Sequence, residues 1–294
     1  MEYIGDKLAI LGVPMISKEI ELPYFDGILE EIAKGNTDIL RAFGNHVHWG
    51  YWDNPGKADG TVDDFAQAAE NLTRKVYEAA GIKDGMRILD CGCGFGGTIA
   101  SLNKVFSNLQ LVGLNIDPRQ LEIARQKVQP QNHNQIQFIE GDACQLPFEN
   151  SQFDIVLAVE CIFHFPSRKR FFQEVWRVLK TDGKLSLCDF VPTQITISLS
   201  KVLNDIFKPL INNYFGYVDS SYTIQDYHDL AKITGFKSII EKDITPNTIP
   251  TYPFLRKLNH EQKLPNSQQA AFVAELVSRL RIIRYIILSY SKIE

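Results

Sequence analysis

Residues Ile88–Thr98 read I-L-D-C-G-C-G-F-G-G-T: an apolar strand runs into three alternating glycines, and a helical pattern follows. No other stretch limits the fold as strongly. Glycines at Gly92, Gly94 and Gly96 remove side chains where a ligand has to meet the backbone closely. A dinucleotide site prefers G-x-G-x-x-G, which sets a pyrophosphate on the helix N-terminus. Here the order is D-x-G-x-G-x-G. The carboxylate of Asp90, just ahead of the first glycine, would repel a pyrophosphate and suits a cationic ligand.

From Arg87 onward, short β-rich runs alternate with helical stretches, the pattern of a parallel sheet with covering helices. Strands are expected at Arg87–Asp90, Leu109–Leu114, Ile136–Glu140, Phe153–Val159, Lys184–Asp189, Phe236–Asp243 and Ile282–Ser289. Helices should fill the gaps, for example Gly97–Val105, Arg119–Lys127 and Lys169–Leu179. Asp90, Glu140 and Asp189 close or flank strands, and the carboxyl ends of parallel strands are where open α/β sheets bind ligands. Residues 1–80 read as mostly helical, with an aromatic interruption at His46–Trp52. Between Pro192 and Thr223 the alternation breaks into a long apolar helix and an aromatic loop, too apolar for a solvated linker.

The chain has 294 residues and a formal net charge of −4, and no run of lysines or arginines dominates any segment, which disfavours a nucleic-acid partner. The N-terminus shows no charged region followed by a sustained apolar core, so no secretory signal is read. The apolar stretch Ile282–Tyr290 is far shorter than the roughly 20 residues of a membrane span and contains Arg284. Five cysteines, with no paired framework, suit a reducing compartment. Cys91 and Cys93 flank a glycine, but no second ligand pair follows at zinc-site spacing, so no metal is expected. A cytoplasmic protein acting on a small molecule, without membrane insertion, is the expectation.

With these elements in this order, the chain resembles the class I S-adenosylmethionine-dependent methyltransferases, in the branch acting on small molecules. The likeness rests on Asp90–Gly97, on Asn115 and Gln120 at the second strand, on Asp142–Ala143 after the third, and on His46-Val47-His48-Trp49-Gly50-Tyr51-Trp52, similar to that branch's H-x-G-Y-W signature. The resemblance implies a Rossmann-like doubly wound α/β sheet of seven strands with the last antiparallel. A helical cap would occupy residues 1–80 and the core 81–294, with an acceptor lid inserted at 192–223. It implies S-adenosylmethionine as cofactor. Gly92, Gly94 and Gly96 would surround its methionine part, and Asp90 would organise the turn and meet the amino group. Many members carry an acid at the end of the second strand. Here Asn115 stands there, so the ribose falls to Asn115 and Gln120, with Asp117 as rival. Asp142 and Ala143 would contact the adenine, and Tyr51 would belong to an aromatic cover whose faces attract the sulfonium.

Methyl transfer needs nucleophile, methyl and sulfur in line, water excluded, and a base when the acceptor is a hydroxyl. Histidine is the side chain whose unperturbed pKa best fits that task. In similar sugar O-methyltransferases, a His after strand four and an Asp ending strand five take part in catalysis. On that resemblance His164 is the expected base and Asp189 its partner, or a direct contact to the acceptor. Glu160 is expected at the cofactor's charged end or the acceptor's rim. Phe163, Phe165, Phe190, Tyr214, Phe215 and Tyr217 are available to line an acceptor pocket, favouring a partly apolar acceptor. Transfer to oxygen is the leading expectation. Transfer to carbon or nitrogen, or a non-catalytic cofactor-binding role, are the alternatives.

Overall fold

The computed structural model describes residues 22–193, 209–261 and 265–293. Most of the expected long helix inside the 192–223 insertion therefore lies outside the described residues, as do the first 21 residues of the expected cap. Seven strands form one sheet in the order β3-β2-β1-β4-β5-β7-β6. They are β1 Arg87–Cys91, β2 Gln110–Asn115, β3 Gln135–Glu140, β4 Phe153–Val159, β5 Leu179–Pro192, β6 Phe236–Asp243 and β7 Ile283–Lys292. The first five pair in parallel, whereas β7 runs antiparallel to both β5 and β6. The doubly wound reading holds, with the expected reversal of the last strand.

Side chains on both faces explain the burial of the central strands. Leu89, Val156, Leu185, Leu187 and Leu288 pack on one face with the helix Arg168–Val178, and Ile88, Ile155 and Leu157 pack on the other with Leu102. Each such side chain contributes about 1.5–3 kcal/mol on leaving water. The helix Val62–Ala80 buries Phe65, Ala69, Leu72, Val76 and Ala80, a stripe at helical spacing. Its N-terminus is capped by Thr61, and it stops at Gly81 in the left-handed region. β3 and β6 are the edges, and at β6 exposed Lys237, Glu241 and Lys242 discourage further strand pairing.

Two helices, Thr251–Glu261 and Pro265–Arg279, stand between β6 and β7. Nothing in the strand alternation singled them out. The first stacks over the N-terminal helices, with Phe254 against Phe65 at a 4.2 Å ring separation, and the second packs on the first and on β7. Among the described residues no helix is long and apolar enough to cross a membrane.

Candidate active site

β1 and β4 are neighbours in the sheet while the chain runs outward from each in opposite directions. Loops leaving their carboxyl ends diverge and open a crevice. Two cavities occupy it. The first, ≈ 140 Å³, is lined by Gly92, Gly94, Asn115, Gln120, Ala143 and Glu160 among others. The second, ≈ 370 Å³, is walled mainly by apolar side chains, including Ile28, Phe43, Trp49, Phe163, Phe215 and Leu255. Tyr24, Val47, His48, Glu160 and His164 line both, so these five residues mark where the cavities meet.

The first cavity is a cradle for a cationic nucleoside. Gly92 has φ +72, and a Cβ there would stand 2.7 Å from Cys161 Cβ. Gly94 has φ +54 and faces nearly open space. Both line the cavity, as expected. Gly96 does not. It starts the helix Gly97–Val105 in the left-handed region, and a Cβ would press on Ala124, Phe138 and Val128 at 3.1 Å. The third glycine is thus a packing requirement of helix against sheet, correcting the expectation that it surrounds the ligand. Asp90 is 1% exposed, and its Oδ2 has no hydrogen-bond partner among the described residues. Burial pushes its carboxyl up to about 8, against a hydrogen bond from Thr98. An amino group reaching this carboxylate would satisfy the orphaned oxygen.

At the end of β2, Asn115 Nδ2 donates to Gln120 Oε1 at 2.9 Å, and both residues line the cavity. Asp117, the rival, is buried and its carboxylate is consumed. It accepts from Arg119 Nη2 at 2.7 Å, from Gln120 Nε2 and from the Arg119 backbone. Ala143 lines the cavity, while Asp142 sits beside it, accepting the Cys144 N–H at 2.7 Å. The orphaned Asp90, the open glycine cradle and the neutral amide pair fit S-adenosylmethionine. Tyr51 does not join them. Its side chain is buried between Leu72, Val76, Val159 and Tyr285. The H-x-G-Y-W segment meets the cavity through His46, Val47 and His48, next to Asn45, instead, correcting the expected aromatic contact.

At the junction, Glu160 adopts φ 50 on leaving β4, which turns its carboxylate back under the N-terminal segment. It accepts the Trp49 N–H at 3.0 Å and the hydroxyl of Tyr285. Burial nevertheless pushes it up to about 8. His164 sits on a single 3-10 turn, Ile162–His164. Its Nδ1 is 2.7 Å from the Tyr217 carbonyl, which only accepts, so Nδ1 carries the proton. Burial pushes its basicity down to about 4, so the ring is neutral near pH 7 and Nε2 presents a lone pair. Tyr24, from the helix Pro23–Ala33, donates to that lone pair at 3.2 Å.

Asp189 is elsewhere in purpose. It is fully buried, and its Oδ2 accepts from Arg168 Nη2 at 2.9 Å and from Tyr227 OH at 2.5 Å. Its Oδ1 accepts the Phe190 N–H. The expected His164–Asp189 pairing is not formed. The reason is Arg168, whose buried guanidinium claims the carboxylate and also binds Asp219. Of the aromatic candidates, Phe163, Tyr214 and Phe215 line the large cavity. Phe165 lines the first cavity instead, and Tyr217 is exposed and offers its backbone carbonyl. Phe190 lines a third, apolar cavity that shares Trp49, Phe163 and Phe215 with the second. Tyr24 and Arg168 carried no motif signal that would have found them.

Residues 89–187 match a family model described as a methyltransferase domain. The chain is 33% identical over 222 residues to (+)-O-methylkolavelool synthase of Herpetosiphon aurantiacus, covering 75% of this chain and 74% of that protein. It is 30% identical over 221 residues to the methyltransferase GfsG of Streptomyces halstedii, covering 74% of this chain and 75% of that protein. A sterol 24-C-methyltransferase of Gibberella zeae is 35% identical over 130 residues, covering 44% of this chain and 34% of that one. Among solved structures, mycolic acid cyclopropane synthase CmaA1 superposes with a TM-score of 0.75 at 16% identity over 88% of this chain and 94% of the other. The [4+2]-cyclase SpnF gives 0.72 at 23% identity over 92% and 94%.

Proposed function

Because the chain belongs to the class I S-adenosylmethionine-dependent methyltransferases, in the branch that acts on small molecules, we propose that it methylates a hydroxyl oxygen of a partly apolar specialised-metabolite acceptor. The observation that carries this reading is His164. Its Nδ1–H is tied to the Tyr217 carbonyl and its Nε2 lone pair opens where the two cavities meet. A base has to stand there with its proton on the far nitrogen. Relatives named as O-methyltransferases support the choice of oxygen.

When bound, the cofactor supplies an electrophilic methyl group on a sulfonium. Asp90 would hold the amino group, Asn115 and Gln120 the ribose, and the Gly141–Ala143 turn the adenine. Tyr24 occupies the His164 lone pair until an acceptor hydroxyl replaces it. His164 Nε2 then takes the proton of the acceptor hydroxyl, which would leave that oxygen free to receive the methyl group. Trp49, Phe163, Phe215 and Leu255 wall the acceptor's apolar part and exclude water. No lysine or arginine lines this cavity among the described residues, which gives a diphosphate acceptor no support. Lys201 and Lys208 lie outside them.

His164→Ala should lower formation of S-adenosylhomocysteine about 10²–10⁴-fold across a panel of apolar alcohols and phenols. Affinity for S-adenosylhomocysteine should stay within about twofold by calorimetry. Unchanged turnover would remove His164 from this role. A second reading, transfer to carbon, is supported by Glu160. Its carboxyl is pushed up to about 8 beside an aromatic wall, close to the value wanted in a base at neutral pH. If Glu160→Gln abolishes turnover while His164→Ala spares it, the carbon reading replaces the oxygen one.

A further inference from the structure

The segment Asn45–Trp49 lies against the glycine loop and carries two buried histidines on one hydrogen-bonded chain. His48 Nδ1 is 2.9 Å from the Trp49 carbonyl, so the proton sits on Nδ1. Burial pushes His48 down to about 3, which keeps the ring neutral and leaves Nε2 a lone pair. Thr73 Oγ1 stands 2.9 Å from that nitrogen and gives it its only proton. Toward its other neighbour, His46 Nδ1 at 3.2 Å, Thr73 is left to accept. The opposite nitrogen of His46 is 2.8 Å from Glu70 Oε2. Burial opposes the charge on Glu70, but hydrogen bonds from His46 and Ser101 prevail and hold its carboxyl below the usual range. Both nitrogens of His46 therefore face acceptors. Either neutral tautomer would set a lone pair against Thr73 or against Glu70.

We propose that His46 is an imidazolium built into the wall of the cofactor cavity, where its charge receives the carboxylate at the amino-acid end of S-adenosylmethionine. His46 lines the cavity and Glu70 does not, so the cation faces the ligand and its counter-ion stands behind. No lysine or arginine lines the cavity among the described residues. Nearby Lys127 is engaged with the Gly44 carbonyl and with Asn45 Oδ1. The ring edge of His46 rests on Gly97, where a Cβ would stand 2.5 Å from Nδ1 and 2.7 Å from Cε1. This is the positive end of the helix Gly97–Val105, a place that disfavours a cation and rewards an anion. A carboxylate settled there meets both. With Asp90 offering an unpartnered oxygen to the ammonium, the cavity has a group for each end of a zwitterion. Both nitrogens of His46 are occupied, so its charge acts through space and the polarised ring C–H.

The inference rests on the cofactor assignment, and two ligands separate the two. S-adenosylhomocysteine carries the carboxylate, and methylthioadenosine lacks the whole amino-acid end. By calorimetry on the full chain, His46→Gln should weaken S-adenosylhomocysteine about tenfold or more, about 1.4 kcal/mol. Methylthioadenosine should be retained within about twofold, which also shows that the pocket is folded. Nitrogen-15 spectra of the wild-type chain near pH 7 should show one histidine protonated on both nitrogens, lost in Glu70→Gln. Equal loss of both ligands, loss of neither, or a singly protonated His46 would overturn the proposal. Failure of the wild type to bind either ligand would sink it together with the cofactor assignment.

Discussion

Asp189→Ala probes whether the acid ending β5 serves chemistry or architecture. The substitution removes one partner of a fully buried ion pair and three accepted hydrogen bonds, from Arg168, Tyr227 and the Phe190 N–H. Arg168 keeps Asp219 and Tyr227, but its side chain is only 1% exposed, so most of its charge is stranded away from water. Breaking one side of such a pair costs about 3–5 kcal/mol. A domain has only about 5–15 kcal/mol to lose. Unfolding by urea, followed by circular dichroism, should show that loss, with a fall in melting temperature on the order of 10 °C. Arg168→Met combined with Asp189→Leu should recover most of it, because removing both charges abolishes the desolvation cost. A structural role also predicts damage at a distance. Arg168 holds Asp219, two residues beyond the Tyr217 carbonyl that orients His164. If Asp189→Ala loses turnover while its stability stays within about 1 kcal/mol of wild type, the architectural assignment is wrong.

Asp90→Asn should trade binding for stability. The folded-state value, raised to about 8 by burial, lies above the unfolded one, so the free protein loses stability as pH climbs toward about 8. The variant escapes that loss and should be more stable than wild type at alkaline pH by up to a few kcal/mol, yet bind S-adenosylhomocysteine more weakly. Equal affinity would contradict the role given to its orphaned oxygen. Gly92→Ala meets both a left-handed backbone and Cys161 at 2.7 Å. It should cost about 1–3 kcal/mol and weaken cofactor binding, and a neutral result in thermal unfolding and calorimetry would argue against the cradle. Phe163→Ala opens the acceptor cavity. It should raise the acceptor KM with cofactor affinity unchanged, and a change confined to the cofactor would misplace that cavity.

Much of the scaffold was legible in one dimension because its determinants are local. Alternating apolar runs and helical stripes need only neighbours along the chain, and the β1 turn needs glycine wherever backbone conformation or approach forbids a side chain. Hence the strand series and the first two cradle glycines follow from residues 87–114 and their sequels, whereas the reversal at β7 was implied by the family resemblance and not by local pattern. The helices Thr251–Glu261 and Pro265–Arg279 escaped notice, since they pack on the N-terminal helices and on each other rather than following the sheet rhythm.

What pattern alone could not decide is which of several chemically able groups finds which partner. Asn115 and Gln120 meet because a helical turn after β2 folds one over the other, a spacing readable in advance. Asp189 and His164 were equally plausible mates on paper. Packing of the helix Arg168–Val178 delivers a guanidinium to Asp189 first, and a carbonyl 53 residues further along the chain selects the protonated nitrogen of His164. His46, Thr73 and Glu70 form a relay only because one helix brings residues 70 and 73 beneath a loop. A proton or lone pair given to one partner is lost to the next, so tertiary contact, not residue type, determined which partners Asp189 and His164 hold.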